Sequence, residues 1–241
     1  RRELWLRSYV ATYLERDARQ LRNIPDLRTF SQFLALAAAR HGQEFHPAAL
    51  ARELGVSQPT VKSWAGVLEA SYVAFFLPPW FRNYGKRVVK TPKLYFLDSA
   101  LAGLLTRQPD AASALAGPLG GALFEGWVVA EAAKAFMARG RRPDLYSWRS
   151  HDGLEVDLLI VLDGKLHPVE IKLTATPGTG HLEPLRRLLA AVGADAAGTG
   201  LIVCRARKPA ELPGGHRALP WHEFPDWLSD RLASRPGRKG R

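Results

Sequence analysis

The sequence has almost no sulfur and no residue arrangement typical of zinc or nucleophile chemistry. Among 241 residues there is one cysteine, Cys204, so the chain can form neither an internal disulfide nor a Cys-based zinc site. Its seven histidines show no metal-ligand spacing, and no G-x-S-x-G elbow or Cys-His arrangement is present. These absences argue against a disulfide-stabilised scaffold, a zinc module and a serine or cysteine hydrolase.

Membrane and nucleotide signals are missing as well. The chain contains neither a transmembrane run nor a signal peptide, so we expect a cytoplasmic protein with no membrane partner. It also lacks the phosphate-binding pattern G-x-x-x-x-G-K-[ST], because Gly85-Lys86 is followed by Arg87 and has no earlier glycine at the required spacing. The sequence therefore predicts no ATP site in this chain.

Basic residues clearly outnumber acidic residues in the sequence. Thirty-four basic residues against 23 acidic ones give a formal net charge of +11 and a pI near 10.1. Such an excess favours a polyanionic partner, and DNA is the partner we expect. The alternative is that part of the charge is incidental, since the segment RLASRPGRKGR carries five basic residues and residues 234–241 are predicted to be a disordered tail.

Residues 45–97 are predicted to form a winged helix-turn-helix. A short helix ends at Gly55, Ser57 can cap the next helix, and Pro59 suits a first helical turn. Periodicity places Val61 and Trp64 on the inner face of that second helix. Its outer face is then polar, which suits the major groove of DNA, and carries Thr60, Lys62 and Ser63.

The wing itself is predicted from two apolar strands, YVAFFL and KLYFL, on either side of the loop PPWFRNYGKRVVKTP. Basic residues neutralise phosphates and aromatic rings stack on bases, so this composition favours nucleic-acid contact. The loop cations assigned to that contact are Arg82, Lys86, Arg87 and Lys90. The alternative is a winged helix used only for protein contacts.

The most informative stretch is EVDLLIVLDGKLHPVEIKL, which reads as a β-hairpin turning at Asp163-Gly164. A two-residue loop there pairs Leu162 with Lys165 and sets Asp157 opposite Glu170 on one sheet face. Lys172 lies on the same face, with Glu155 as its predicted partner across the hairpin. The alternative is an exposed face on which Lys172 simply pairs with Glu155.

Two carboxylates at one point repel each other unless a cation or a proton lies between them. Mg²⁺ prefers oxygen ligands and keeps several of its waters, so two carboxylates and a backbone carbonyl are enough to hold it. A Mg²⁺ (or Mn²⁺) ion between Asp157 and Glu170 would therefore satisfy both carboxylates, and the chemistry of Lys172 beside it would suit a water or a charged phosphate.

An Asp followed by Glu-x-Lys on the next strand, after the acid-bearing helix LFEGWVVAEAAKAF, resembles the active-site pattern of the PD-(D/E)XK nuclease superfamily. The resemblance implies metal binding by Asp157 and Glu170, a catalytic role for Lys172, and support of the metal site by a helix acid. By the LFEG match that acid is Glu125, while Glu131 competes for the role because the helix is apolar on nearly every side.

Longer runs resemble the C-terminal regions of a large group of prokaryotic AAA-type ATPases. The resemblance covers residue 3 to around residue 205, and the runs that carry it are WLRSYVATYLERD, LGVSQPTVKSW, LEASYVAFFLPP, KRVVKTPKLYFLDSALAGLL, ALFEGWVVAE and EVDLLI...VEIK. It implies a winged helix followed by a nuclease-fold domain, with an ATPase module upstream in the same polypeptide. The chain opens on Arg1 and not on Met, so we expect a fragment of something longer.

The predicted fold class is α/β (α+β overall), with an N-terminal helical and winged helix-turn-helix domain before a restriction-endonuclease-like α/β domain. The predicted boundaries are 1–44 for a helical linker from the upstream module, 45–97 for the winged helix, 98–118 for a connecting helix and linker, 119–233 for the nuclease-like domain, and 234–241 for the tail.

The predicted function is Mg²⁺-dependent hydrolysis of DNA phosphodiester bonds, regulated by the upstream ATPase. The runner-up is a catalytically silent nuclease-fold module that binds DNA or serves as an effector platform. A third hypothesis is a protein-interaction adaptor whose charge is incidental. Homo-oligomerisation stays open.

Overall fold

The computed structural model of the chain describes residues 2–10, 12, 26–81, 90–193 and 195–233. Its internal contacts divide the chain into two compact units with mixed α/β content. The first unit takes Arg1–Phe76 and Thr91–Trp127, and the second takes Leu77–Lys90 and Val128–Arg241. In the described part, no helix combines the length and the apolarity needed to cross a membrane.

The first unit is mostly helical and contains a small two-stranded sheet formed by β1 and β2. Its elements, in chain order, are α1 (Arg2–Tyr9), α2 (Leu27–Ala39), α3 (Pro47–Leu54), α4 (Gln58–Ala70), β1 (Ala74–Leu77), β2 (Lys93–Phe96), α5 (Ser99–Leu105), α6 (Ala111–Ala116) and the first turns of α7 (Gly120–Met137).

The predicted pair of short helices is present as α3 and α4. Gly55 takes a left-handed conformation with φ of 67° and ends α3, and the Ser57 side chain accepts a hydrogen bond from the backbone N–H of Thr60 at the start of α4. The apolar side of α4 is buried as its periodicity predicts, and Trp64 meets Phe30 edge to face with ring centroids 5.6 Å apart.

Residues 98–118, predicted as a connecting segment, instead supply part of the first core. They form α5 and α6, and Leu101, Ala102 and Ala114 are buried there with side chains of α2 and α4. Pro109, Gly117 and Pro118, which suggested a linker, only bound the two helices. Apolar residues at helical spacing within each helix bury the segment.

A histidine packs directly against a glycine in the first unit. His41 is 1% exposed, and its Nδ1 accepts a hydrogen bond from the backbone N–H of Phe96 at 3.1 Å. Its ring lies against Gly126 of α7, where a Cβ atom would come within 1.7 Å of His41 Nε2. Only glycine fits this helix position beside an undisturbed His41.

The second unit is built on a six-stranded mixed sheet in the order β3-β4-β5-β6-β8-β7. The β3–β4, β4–β5 and β7–β8 pairs are antiparallel, and the β5–β6 and β6–β8 pairs are parallel. The elements are β3 (Leu145–Arg149), β4 (Glu155–Leu162), β5 (Lys165–Lys172), α8 (Glu183–Val192), β6 (Leu201–Cys204), β7 (Ala210–Leu212), β8 (His216–Pro220) and α9 (Phe224–Ala233).

One face of this sheet packs against α8. Leu182, Leu185 and Leu188 on and just before the helix share a buried apolar cluster with Leu159 and Ile202 of the sheet. Because α8 connects the parallel strands β5 and β6, it is the crossover helix that such a connection requires.

The segment 77–90, predicted as part of the winged helix, groups with the second unit. The backbone N–H of Trp80 donates to the carbonyl of Ser147 at 2.6 Å, and the N–H of Ser147 donates to the carbonyl of Pro78 at 2.9 Å. The chain leaving β1 therefore runs beside β3 before it enters the loop. Residues 82–89 of that loop lie outside the described residues, as does the predicted tail.

The contact between His41 and Gly126 predicts opposite effects for two glycine substitutions in one helix. We expect Gly126→Ala to lower the free energy of unfolding by about 1–3 kcal/mol, the usual range for overpacking. Gly121→Ala is the matched control, because a Cβ at that position would meet nothing within 4 Å and alanine favours a helix by up to about 1 kcal/mol. Denaturant unfolding of the two variants and wild type measures both effects, and equal effects would contradict the contact.

Burial also predicts an acid sensitivity. Burial lowers the pKa of His41 to about 4, below its unfolded value, so its contribution to stability is present above pH 6.5 and is lost as the pH falls from 6.5 to 4. Burial lowers the pKa values of His167 and His216 too, so the measurement is the difference between wild type and His41→Asn, in which the amide oxygen can replace Nδ1 as acceptor.

We expect the free energy of unfolding of wild type to fall by about 3 kcal/mol more than that of His41→Asn between pH 7 and pH 4. Parallel pH profiles for the two proteins would show that His41 is not the group that titrates.

Candidate active site

The hairpin of β4 and β5 has the register that its sequence predicts. Asp163 and Gly164 have positive φ values of 51° and 78°, as a type I′ turn requires. Leu162 faces Lys165, and pairing continues residue by residue to Leu158 and Val169. The turn chemistry therefore fixes which side chains of the two strands can meet near their other ends.

Beyond that pair, an aspartate side chain continues the hydrogen bonding between the strands. The backbone N–H of Ile171 donates to Asp157 Oδ2 at 2.8 Å. Asp157 is 8% exposed, so its carboxylate is held between the strands in a buried position and not on a solvated face. This backbone donor orients the carboxylate, and the Lys172 ammonium donates to the same oxygen at 3.3 Å.

Lys172 brings the two predicted carboxylates together. Its Nζ lies 2.6 Å from Glu170 Oε1 and 3.3 Å from Asp157 Oδ2, while Glu170 is 5% exposed and Lys172 is half-buried. We call these three residues the carboxylate–lysine cluster. The structure thus brings the three predicted site residues together from adjacent antiparallel strands, and their role stays a prediction.

The alternative of an exposed face on which Lys172 pairs with Glu155 is wrong. Glu155 pairs instead with Arg149 of β3, with Oε1 and Nη1 3.2 Å apart. Lys172 reaches past this position to the buried acids, because two carboxylates in a region of low dielectric attract a cation far more strongly than one exposed carboxylate does.

Burial and the neighbouring carboxylates shift the pKa of Lys172 in opposite directions. Burial by itself lowers the pKa of Lys172, but attraction to the carboxylates of Asp157 and Glu170 and hydrogen bonds to both outweigh it, and the pKa is raised above 10.5. The lysine is therefore charged at neutral pH. With both acids ionised the cluster carries a net charge of −1, so it can accept a further cation.

The cluster lies where the parallel strand β5 ends. In open α/β sheets, ligands bind outside the carboxyl ends of parallel strands. The start of β4 reaches the same edge because β4 runs antiparallel to β5. Asp152, in the turn before β4, pairs with Arg187 of α8 at 2.7 Å and ties the helix to this edge.

Asp157 and Glu170 fit a magnesium ion better than a metal that needs many protein ligands. Their carboxylate oxygens converge on one cation, the Lys172 ammonium, and Mg²⁺ binds through one or two carboxylates while keeping waters. Within the described ranges no group of three or more His, Cys, Asp or Glu residues is placed to hold a metal. A site for zinc or another metal fully enclosed by such side chains is not found there.

Glu125, the predicted helix acid, has partners in the first unit. It accepts a hydrogen bond from the hydroxyl of Tyr95, and its Oε1 lies 3.5 Å from Lys93 Nζ. Glu131, its competitor, forms a salt bridge with Lys134 on the same helix. The support of the metal site by Glu125 stays a prediction.

The residues predicted to contact nucleic acid are described only in part. Lys62 and Lys90 are exposed, and Thr60 and Ser63 are half-buried. The Thr60 hydroxyl lies 2.7 Å from that of Ser57 at the start of α4. Arg82, Lys86 and Arg87 lie outside the described residues.

Sequence reasoning missed the backbone donor at Ile171 and the ion pairs of Arg149 and Arg187 at this edge. The Arg149 pair could have been found, because Arg149 and Glu155 flank a five-residue turn in the sequence. The Arg187 pair joins a turn to a helix that comes later in the chain, and no local pattern indicates it.

Comparison with known proteins finds similarity without an assigned activity. Residues 1–112 match a domain of unknown function, DUF8612, and residues 120–224 match another, DUF4143. The uncharacterized proteins Rv2008c of Mycobacterium tuberculosis and Mb2031c of Mycobacterium bovis are each 37% identical over 173 residues. That alignment covers 72% of this chain and 38% of each relative. No solved structure matches the chain.

The cluster predicts a cost for removing its cation. Lys172→Met leaves two buried carboxylates side by side, and we expect the free energy of unfolding at pH 7 to fall by about 1–3 kcal/mol, less than for a fully buried pair because Lys172 is partly exposed. Lys165→Met at the exposed end of the same strand is the control and should change it by less than about 0.5 kcal/mol. A smaller loss for Lys172→Met than for the control would show that the ion pair does not stabilise the fold.

Proposed function

We propose that this chain hydrolyses DNA phosphodiester bonds with Mg²⁺ or Mn²⁺ at the cluster of Asp157, Glu170 and Lys172. The single observation that carries the proposal is the convergence of two buried carboxylates on one lysine ammonium at the end of a parallel strand. Burying like charges together is unfavourable, and clusters of this kind concentrate at functional sites.

Each residue has a role that its surroundings support. Asp157 and Glu170 would hold the metal, and Ile171 keeps Asp157 oriented through its backbone N–H. The bound metal would polarise the phosphate and lower the pKa of a water. Lys172, which is charged at neutral pH, would orient the attacking water or stabilise the negative charge that develops on the phosphate oxygens.

DNA is the substrate that the rest of the chain favours. The net charge is +11, and α3 and α4 followed by β1 and β2 have the element order of a winged helix. The polar start of α4, with Thr60, Lys62 and Ser63, would enter the major groove, and the loop with Arg82, Lys86, Arg87 and Lys90 would contact phosphates.

Regulation by an ATPase module in the same polypeptide is part of the proposal. DUF4143, which residues 120–224 match, is found in AAA-ATPase-associated proteins, and the chain spans 38% of the length of its curated relatives. We place this activity in the cytoplasm.

One observation favours a second candidate, a nuclease-fold module that binds DNA without cleaving it. The Lys172 ammonium already compensates both carboxylates, at 2.6 and 3.3 Å, so the cluster can serve as a buried ion-pair network without a metal. The two candidates differ in one property, which is whether the carboxylates bind a divalent cation.

Metal binding and cleavage should be lost together when either ligand is neutralised. We expect the purified chain to cleave linear, nicked, single-stranded or supercoiled DNA with Mg²⁺ or Mn²⁺ and not with EDTA. Asp157→Asn and Glu170→Gln should abolish Mn²⁺ binding, measured by the electron paramagnetic resonance of free Mn²⁺, together with cleavage. Lys172→Met should still bind Mn²⁺ but cleave about 10² to 10³ times more slowly.

Asp163→Asn is the matched control, because it removes one carboxylate from the same hairpin at the far end and asparagine tolerates its positive φ. It should bind Mn²⁺ and cleave as wild type does. A wild type that neither binds Mn²⁺ nor cleaves any of the four DNA forms would leave the silent module as the better description.

A further inference from the structure

Three parallel strands of the second unit end together at the edge that holds the carboxylate–lysine cluster. Lys172, the last residue of β5, faces Cys204, the last residue of β6, and Cys204 faces Pro220, the last residue of β8. Neighbouring strands lie about 4.8 Å apart. The residues that follow β6 and β8 therefore emerge within about 10 Å of the backbone of Lys172.

The loop after β6 brings three cations to this edge. Arg205, Arg207 and Lys208 are exposed, and the backbone N–H of Arg205 donates to the carbonyl of Thr174 at 2.7 Å. That hydrogen bond joins the loop to the segment directly after Lys172. The loop is thus fixed next to the cluster by backbone contacts that do not involve the charged side chains.

These cations differ from the other arginines of the same edge. Arg149 and Arg187 are neutralised by Glu155 and Asp152. Among the described residues no ion pair is recorded for Arg205, Arg207 or Lys208. Three like charges within four residues repel one another, and a polyanion that binds there would relieve that repulsion.

An aromatic ring completes the edge. Trp221 follows Pro220 directly and is 39% exposed. In the described part of the second unit, the other large apolar side chains are buried or half-buried. Its ring meets that of His222 in an edge-to-face arrangement, with the ring centroids 5.7 Å apart. Glu223 lies beside His222, with Oε1 3.9 Å from Nε2, and is the acid nearest to this ring in the sequence.

We propose that this edge binds a single strand of DNA, with Arg205, Arg207 and Lys208 on its phosphates and Trp221 stacked on an unpaired base. Grooves for single strands combine cations that follow the backbone with aromatic rings on which bases stack. In a duplex the faces of the bases are covered by their neighbours, so a tryptophan at the surface favours an unpaired base. The proposal rests on the proposed function only in taking the carboxylate–lysine cluster as the point of cleavage.

The test is binding of a fluorescent single-stranded oligonucleotide by the full chain in EDTA, followed by anisotropy at several salt concentrations. A variant with Arg205→Gln, Arg207→Gln and Lys208→Gln should bind on the order of 10- to 100-fold more weakly at 0.1 M salt. The slope of log K against log salt should flatten by about 2, since each single-strand phosphate contact contributes about 0.7.

The matched control removes three exposed cations from the opposite edge of the same sheet: Arg141→Gln, Arg142→Gln and Lys165→Gln. It has the same net charge as the first variant and should bind nearly as wild type does. Equal weakening by both triple variants would mean that net charge alone governs binding, and it would overturn the proposal.

The stacking of Trp221 on an unpaired base is tested separately. Trp221→Ala should weaken binding of the single strand about fivefold or more and leave binding of a duplex of the same sequence unchanged, while Trp221→Phe should keep most of the affinity. A Trp221→Ala protein that binds the single strand as wild type does would remove the stacking role.

Failure of this proposal and failure of the nuclease assignment are distinguishable, because the binding is measured without metal. A wild type that binds single strands through these residues but cleaves nothing with Mg²⁺ would retain the binding edge and lose the nuclease. A wild type that cleaves while the first triple variant binds and cleaves normally would retain the nuclease and lose the edge.

Discussion

The second unit depends on one electrostatic constraint, which is that two carboxylates share a buried position between neighbouring strands. Asp157 and Glu170 are held together there because Lys172 lies against both and because the backbone of Ile171 donates to Asp157. Burial of the two carboxylates lowers the local dielectric and strengthens these contacts. Burial raises the free-energy cost of placing the two carboxylates together. It therefore also strengthens their attraction to a cation that binds there.

The hairpin was predictable because local rules determine it. Asp-Gly selects a turn, the turn selects a register, and the register decides which side chains meet. The hydrogen bond beyond the Leu158–Val169 pair does not follow from local rules. There the Asp157 carboxylate, and not a backbone carbonyl, accepts from the N–H of Ile171, and no residue propensity describes that replacement. The geometry of Asp157, Glu170 and Lys172 thus followed from sequence, while the orientation of Asp157 did not.

The first unit shows a different limit of sequence reasoning. Helix spacing and capping residues at Gly55 and Ser57 were sufficient to predict α3 and α4. Pro109, Gly117 and Pro118 favour a linker within residues 98–118, yet Leu101 and Ala114 of the two helices in this segment are buried. Nothing local in the sequence indicated the contact of His41 with Gly126, which joins residues 85 positions apart. Contacts of that kind arise from tertiary packing alone.

The chain segment beside β3 has a consequence for the behaviour of the protein in solution. An open sheet exposes unpaired backbone groups at its outer strands, which can pair with other chains. Here Pro78 and Trp80 engage Ser147 along one outer strand, and the other outer strand, β7, is only three residues long. Both borders are therefore poor templates for intermolecular β-pairing. A shortened protein designed without residues 78–80 would uncover a longer border and lose protection against aggregation.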